Sequence, residues 1–452
     1  MSIEFTYFLP SGSSQDSFIY PLTIILFLFA CIAFIRSNFD ILNPSFIYSS
    51  CIAGCCFLAA IYTDSWNLPM HFDSAIIILV MSIFFYLGSI LAGYANNFND
   101  VYTELKTSEC QSGEGFFINP YVWLLLLLII VTYFVYLNYL DFLAAARQVT
   151  NETSFTKMLF PVIDGLSHQQ IELSRWNAQR MRISQVIAYI SVMAVWMNLK
   201  VHNYKEISKW CVFIILYIPF MVLTGGRQQF LYLIIFSVMS YFLISRRICI
   251  DKHSLRKEFT IIGSAVIIFL IFFLGIGVIN GKIGNDSSVL KVLVHYAGTN
   301  ISAFDVYLNE MLIPDNQYIG TLTLGSIYRF LQNIGFHGPQ YIQYISVFTA
   351  FGPVTTNVYT AFFRYIQDFG CFGCALIMFI LGFFYTFIYQ RLYYYGLKNW
   401  MILIYCSIAY PIFLIGREER FFREILASGN FTFIVEALIF YNVFRFLSKK
   451  RN

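Results

Sequence analysis

Charge is what this sequence has least of. Only 12% of its 452 residues are Asp, Glu, Lys or Arg. A soluble chain of this length needs far more polar surface to cover its core, so the bilayer is the expected solvent. Metal-binding patterns are missing too: the six histidines are scattered and form no HExxH or comparable cluster. The net charge of +4 is too small and too dispersed to point to nucleic acid. Internal repeats, Gly/Ser linkers and low-complexity tracts are absent. The first seventeen residues contain no Lys or Arg, and no small-residue cleavage signature follows the first apolar run, so that run is expected to stay as the first span. Of the ten cysteines, Cys31, Cys51, Cys55, Cys56, Cys211 and Cys406 lie in apolar runs, where they act as small hydrophobes. Cys371 and Cys374 make a CxxC without the βαβ surroundings of a redox motif, and packing is the simpler reading.

What the chain does have is apolar length. It is 58% hydrophobic, with a mean hydropathy of +0.66. Eleven runs are long enough to cross about 30 Å of hydrocarbon as helices: 18–35, 44–62, 74–95, 119–140, 183–199, 209–223, 228–244, 259–279, 370–390, 400–416 and 429–447. They are continuously apolar rather than alternating, which excludes barrel strands. The expected fold is an all-α integral membrane protein of about 11 transmembrane helices, with residues 1–452 as a single polytopic membrane domain.

Arg246, Arg247, Lys252, Arg256 and Lys257 crowd into residues 245–258, which the positive-inside rule makes cytoplasmic. Alternation from there puts the N-terminus outside and the C-terminus inside, in agreement with the tail Lys449, Lys450, Arg451 and with Lys200, Lys205 and Lys209. Sixteen basic residues then face in and thirteen face out. Nine of the inner sixteen are Lys, whereas ten of the outer thirteen are Arg. Arginine grips phosphate and carboxylate with a planar fork, so the outer excess asks for a reason beyond interfacial snorkelling. This register leaves two larger outer loops containing short helices, 141–182 and 280–369, and a moderate inner loop, 96–118.

Three constellations carry the chemistry. In "MVLTGGRQQFLYL", fourteen apolar residues, 210–223, make a helix of roughly 21 Å, short for the bilayer, so Gly225 and Gly226 are expected to turn the chain below the outer surface and leave Arg227 partly submerged. Arg227 then needs an anion, either an acidic side chain or a substrate. In "GPVTTNVYTAFFRYIQDFGCFG", Pro353 with Thr356 or Asn357 reads as a helix start. Asn357, Thr360, Arg364, Gln367 and Asp368 would share one face, and Val358, Phe362, Tyr365 and Phe369 the other. Arg364 and Asp368 have the spacing of a surface ion pair, or they line a cleft at membrane level. In "GREERFFRE", Arg417, Arg420 and Arg423 alternate with Glu418, Glu419 and Glu424, either pairing among themselves or binding an anion. The large loop adds Arg329, His295, His337, Asp305 and Asp315. In the smaller loop, "HQQIELSRWNAQRMR" puts Glu172, Arg175, Gln179 and Arg182 on one face of an amphipathic helix expected to lie in the interface.

An outward cleft rich in Arg at headgroup level suits a lipid diphosphate. Thr356-Asn357-x-Tyr359-Thr360, followed by Tyr365-x-x-Asp368-Phe369-Gly370-x-x-Gly373, resembles bacterial O-antigen polymerases of the Wzy type, the oligosaccharide repeat unit polymerases. So does Gly225-Gly226-Arg227 opening a span, and the layout of eleven spans with two sizeable outer loops is similar over the whole chain. The resemblance implies a glycosyltransferase that needs no metal or other cofactor, in the inner membrane with its active site facing the periplasm. Such an enzyme moves a growing glycan from undecaprenyl diphosphate onto the next undecaprenyl-diphosphate-linked oligosaccharide, extending O-antigen or a related surface polysaccharide. Arg227, Arg364, Arg417, Arg420, Arg423 and Arg329, with Tyr359 and Asn357, are the expected substrate-binding residues. A carboxylate or neutral histidine must take the acceptor's proton, and Asp368, His337, His295 and Asp305 are the candidates. A chain-length regulator is the protein partner the resemblance implies.

Three rivals remain to be weighed. An O-antigen ligase shares donor, topology and arginine pocket but not acceptor. A lipid-linked oligosaccharide flippase should show two halves of similar span number, short loops on both sides and charges inside the spans. A metal-dependent polyprenyl-phosphate glycosyltransferase should carry a DxD-like pair in the first outer loop, where Asp64 and Asp73 stand too far apart.

Overall fold

The computed structural model describes residues 5–8, 17–66, 70–96, 116, 121–167, 171, 173–223, 227–248, 255–279, 289–310, 319–336, 347–351, 354–394 and 398–449. In chain order the elements are β1 Phe5–Phe8, α1 Ile19–Arg36, α2 Pro44–Trp66, α3 Phe72–Ala95, α4 Val122–Val149, α5 Phe155–Ser167, α6 Arg175–Lys200, α7 Tyr204–Leu223, α8 Arg227–Ile248 and α9 Leu255–Ile279. There follow α10 Val289–Ala297, α11 Thr299–Glu310, α12 Gly325–Asn333, β2 Val347–Phe351, β3 Val354–Thr356, α13 Ala361–Tyr394, α14 Asn399–Ile408, α15 Tyr410–Leu414, a single π-turn Phe421–Ile425, and α16 Ser428–Lys449. Ten of the described helices are long and apolar enough to cross a membrane, the architecture of a helical multi-pass membrane protein. The chain divides into two compact units.

The first unit comprises Met1–Val101, Ser288–Arg391 and Ile408–Phe431. Helix α1 runs along α2. Helices α3 and α13 meet at two glycines: a Cβ on Gly88 would stand 2.0 Å from the carbonyl oxygen of Phe379, and one on Gly382 would stand 2.0 Å from that of Phe85. Small residues allow such backbone contact between spans, where packing rather than water drives association. Thr386 donates to Ser89 (2.9 Å) beside this crossing, and Arg391 Nε donates to Asn96 Oδ1 (3.1 Å) at its far end. Along this crossing, which involves the part of α13 after Gly370, the two helices are therefore parallel.

The described residues between α9 and α13 include helices and strands that pack within the first unit. Helices α10 and α11 pack against α2, α11 also reaches α3, and α12 packs against the π-turn. A three-stranded sheet of order β1-β2-β3 joins the N-terminus to this region. Strand β1 runs parallel to β2, with Phe5 opposite Val347, and β2 runs antiparallel to β3, with Thr349 opposite Thr356. These strands are an addition to the expected all-α fold. The sheet also corrects the expected helix start: Val354–Thr356 is strand, and α13 begins at Ala361. Helix α13 is kinked at Gly370 (φ 66°, ψ −179°), a backbone region that only glycine adopts without strain.

The expected span 400–416 is broken into α14 and α15. Pro411 brings no N–H to the helical ladder, the Ile412 N–H turns to the Ala409 carbonyl (3.2 Å), and the Ile408 carbonyl accepts instead from Tyr385 OH (2.9 Å).

The second unit comprises Tyr102–Ser287, Leu392–Ser407 and Thr432–Asn452. The outer loop expected at 141–182 is mostly helix. Helix α4 continues to Val149, α5 packs Leu159 and Val162 on Phe142 and Ala146, and α6 begins at Arg175. The amphipathic segment foreseen as an interfacial helix is thus the first turns of a spanning helix. Its charges are satisfied within the unit. Arg180 pairs with Asp141 and donates to Asn138 Oδ1 (2.6 Å), while Arg182 donates to Gln179 (2.9 Å), whose amide donates to Glu436 (2.5 Å). Glu172 and the side chain of Arg175 lie outside the described residues.

Candidate functional site

The arginine-rich turn after α15 lies in the first unit and is held from four sides. Asn300 of α11 donates to the Gly416 carbonyl (3.3 Å), Ser326 of α12 donates to the Arg423 carbonyl, the Ala361 N–H of α13 donates to the Ile415 carbonyl (3.0 Å), and Tyr410 of α15 donates to Glu424 (2.7 Å). Residues far apart in sequence therefore converge on 415–425.

Inside the turn the charges have distinct duties. Arg420 bridges Glu418 and Glu424, and Arg423 stands 3.6 Å from Glu418. Burial raises the Glu418 carboxyl, but Arg420, Arg417 and Arg423 outweigh it and hold the group below its ordinary value. Glu419 is enclosed. It accepts from Tyr365 OH (3.1 Å) and from the backbone N–H groups of Phe422 (2.7 Å) and Arg423 (3.2 Å). Burial pushes its carboxyl up against these bonds. A narrow cavity with room for about one water molecule lies beneath, lined by Phe85, Tyr365, Tyr385, Glu418, Arg420 and Phe421 among others.

Two arginines stand apart from this pairing. Arg364, 5% exposed, donates through Nη1 to the Leu322 carbonyl (3.0 Å) and makes no ion pair among the described residues. The charges of Arg423 and Arg420 act on it at longer range, opposed by Glu419 and Glu418. Arg417 likewise makes no ion pair there; its Nε is buried without a hydrogen-bond partner, and its guanidinium carbon lies 5.8 Å from the centre of the Tyr296 ring.

The i,i+4 pair that the spacing of Arg364 and Asp368 suggests does not form. Asp368 instead accepts from the N–H groups of Leu322 (3.3 Å) and Thr323 (2.6 Å). With Arg364 on the Leu322 carbonyl, the two side chains clamp one peptide segment from both sides. The foreseen polar stripe is correspondingly shorter. Asn357 and Thr360 precede α13, and Gln367 accepts from Tyr307 OH. Burial pushes the Tyr307 phenol up to about 12, with the nearby Asp368 adding to it.

Other expected site residues are placed differently. Tyr359 is core: its OH meets Thr349 Oγ1 at 2.8 Å, its ring stacks on Phe363 at 4.4 Å, and burial pushes its phenol up to about 12. Arg329 and His295 are exposed on α12 and α10. His337 and Asp315 lie outside the described residues.

Asp305 is buried and serves one partner twice: Oδ1 accepts from the His71 N–H (3.0 Å), and Oδ2 lies 3.0 Å from His71 Nδ1. Asn309 donates to Asp305 Oδ1 (3.3 Å) and to Ser74 (3.1 Å). The pairing joins residues 234 positions apart, so no local spacing could have announced it.

Arg227 belongs to the second unit. It opens α8, is 8% exposed, and lies with its guanidinium carbon 4.9 Å from the centre of the Phe273 ring. The argument that the preceding span is short does not hold, since α7 extends through Lys205 and Glu206 to 20 residues, about 30 Å of helix. Gly225 and Gly226 lie outside the described residues.

No group of three or more His, Cys, Asp or Glu side chains among the described residues is arranged to hold a metal ion. What the arrangement offers is cationic: Arg364 of α13 and Arg417 of the turn, neither in an ion pair among the described residues, beside turn charges that match one another. Such a site can hold a dianion through charge-assisted hydrogen bonds. No protein-family model, curated protein or solved structure matches the chain.

Proposed function

We propose that the chain is a polymerase of lipid-linked oligosaccharide repeat units, working at the periplasmic face of a bacterial inner membrane. It extends O-antigen or a related surface polysaccharide. The observation that carries this reading is the pair Arg364 and Arg417, neither in an ion pair among the described residues, beside a turn of matched charges. A buried arginine without a carboxylate is costly in the ligand-free protein. A diphosphate supplies two negative groups and repays that cost on binding.

In this reaction the acceptor hydroxyl attacks the anomeric carbon of the growing glycan, and the bond to undecaprenyl diphosphate breaks with its electron pair going to the diphosphate. Arg364 and Arg417 stabilise that developing charge. Arg420 and Arg423, tied to Glu418 and Glu424, hold the turn in shape. The chain between α9 and α13 covers the same end of the first unit and bounds the space for the glycan. The large outer region and the resemblance around Thr356–Gly373 favour this reading over a flippase.

Purified protein in liposomes, given lipid-linked repeat units extracted from a strain lacking this chain, tests the reading. A ladder of glycan lengths with released undecaprenyl diphosphate, unaffected by EDTA, is expected. Movement of intact repeat units across the bilayer with no ladder would establish the flippase instead.

A further inference from the structure

The polymerase reading requires a group that takes the acceptor's proton. Asp368 spends both oxygens on backbone N–H groups, and Glu419, 1% exposed, is sealed beneath the turn. We propose that His71 is the general base of the reaction and that Asp305 is its positioning residue; the proposal rests on the polymerase reading.

Three observations carry it. First, the geometry fixes the tautomer. A carboxylate 3.0 Å from Nδ1 accepts the proton there, which leaves the lone pair on Nε2. Second, the pair is half open. The Asp305 side chain is 4% exposed while that of His71 is 37% exposed, so the ring is anchored on its buried edge and reachable on the other. Third, the dyad lies near the start of α13: α11 carries Asp305 at His71 and, two residues on, Tyr307 at Gln367, which follows Arg364 by three residues.

Helix α11 links the two sites directly. Its Asn300 holds Gly416, its Tyr307 meets Gln367 of α13, and its Asp305 holds His71. Asn300 and Asp305 are five residues apart, about 7.5 Å along the helix axis. They point about 140° apart around it, so Gly416 and His71 are held on different faces of α11.

The step balances without a co-reactant. As the acceptor oxygen bonds to the anomeric carbon, its proton passes to His71 Nε2, and the electron pair of the breaking bond leaves with the diphosphate. Asp305 stabilises the imidazolium, which then returns its proton to water or to the released diphosphate.

Asp305 also accepts from the His71 backbone N–H, so a purely structural role at the start of α3 must be separable. His71→Gln keeps that N–H. Asp305→Asn keeps an oxygen for it but turns an amide N–H toward the ring, which inverts the tautomer and puts the proton on Nε2. Both variants are assayed as full-length protein in liposomes with the extracted repeat units described above. His71→Gln is expected to lower kcat by at least about 100-fold, with KM within about two-fold of wild type. Asp305→Asn is expected to lower kcat on a comparable scale, and the double variant to be no slower than His71→Gln alone, because the two act as one unit.

Wild-type rate in His71→Gln, or losses that multiply in the double variant, would overturn the role of the dyad while leaving the polymerase reading intact. A wild-type protein that forms no polymer in the same liposomes would remove that reading and the proposal with it.

Discussion

Glu418 and Glu419 are neighbours in sequence and opposites in physical circumstance. Glu418 is held below its ordinary value because three arginines outweigh its burial; Glu419 is held above because its burial outweighs its hydrogen bonds. Stability from Glu418 is therefore present above its ordinary value of 4.5 and lost as pH falls through its lowered value. For Glu419 the contribution is present below 4.5 and lost as pH rises through its raised value. Thermal unfolding in detergent separates the two. Glu418→Gln should cost ~1–3 kcal/mol near neutral pH, between exposed and buried ion-pair values, and flatten the acid side of the profile. Glu419→Gln should cost less near neutral pH, because it removes a buried charge but keeps an acceptor. Equal losses at neutral pH would contradict this division. On the functional side, Arg417→Lys should insert normally and polymerise at least ~10-fold more slowly, since an ammonium cannot reproduce a planar fork; a full-length ladder at wild-type rate would remove Arg417 from the site. The sequence supplied candidate arginines but not what each one touches. Spacing offered Asp368 to Arg364, whereas both face Leu322 and Thr323. Helical spacing reports which residues could meet, and tertiary contacts decide which do.

The crossing of α3 and α13 packs the helix that His71 precedes against the part of α13 that follows Gly370. Gly382→Val places a branched side chain where even a Cβ would stand 2.0 Å from the Phe85 carbonyl oxygen. It should force the helices apart, cost at least ~1–3 kcal/mol, and lower polymerisation through displaced ends. The checks are the melting midpoint in detergent and ladder length at permissive temperature; an unchanged midpoint would mean that the helices do not meet there. The apolar runs were legible because lipid demands about twenty of them in succession, and ten of the eleven reappear as helices of spanning length. The eleventh was misjudged for a local reason, Pro411, and polar first turns hid the true lengths of α6 and α7. Strands β1–β3 carry no usable signal: three to five residues present no period to read, and β1 finds its partner β2 more than 300 positions away.

Sidedness belongs to the whole molecule. The basic cluster at 246–257 is the ground on which the region between α9 and α13 is proposed to face the periplasm. Reporter fusions at residues 165 and 330 should show periplasmic activity and one at 252 cytoplasmic activity. The reverse pattern would place the arginine turn on the wrong face for outer-leaflet chemistry. The central claim, that this chain joins repeat units, is tested most directly by the surface glycan of a strain lacking the gene. Caps of a single repeat unit, restored to a ladder by the wild-type chain, are the expected result. An undiminished ladder in that strain, or the loss of all surface glycan, would contradict it.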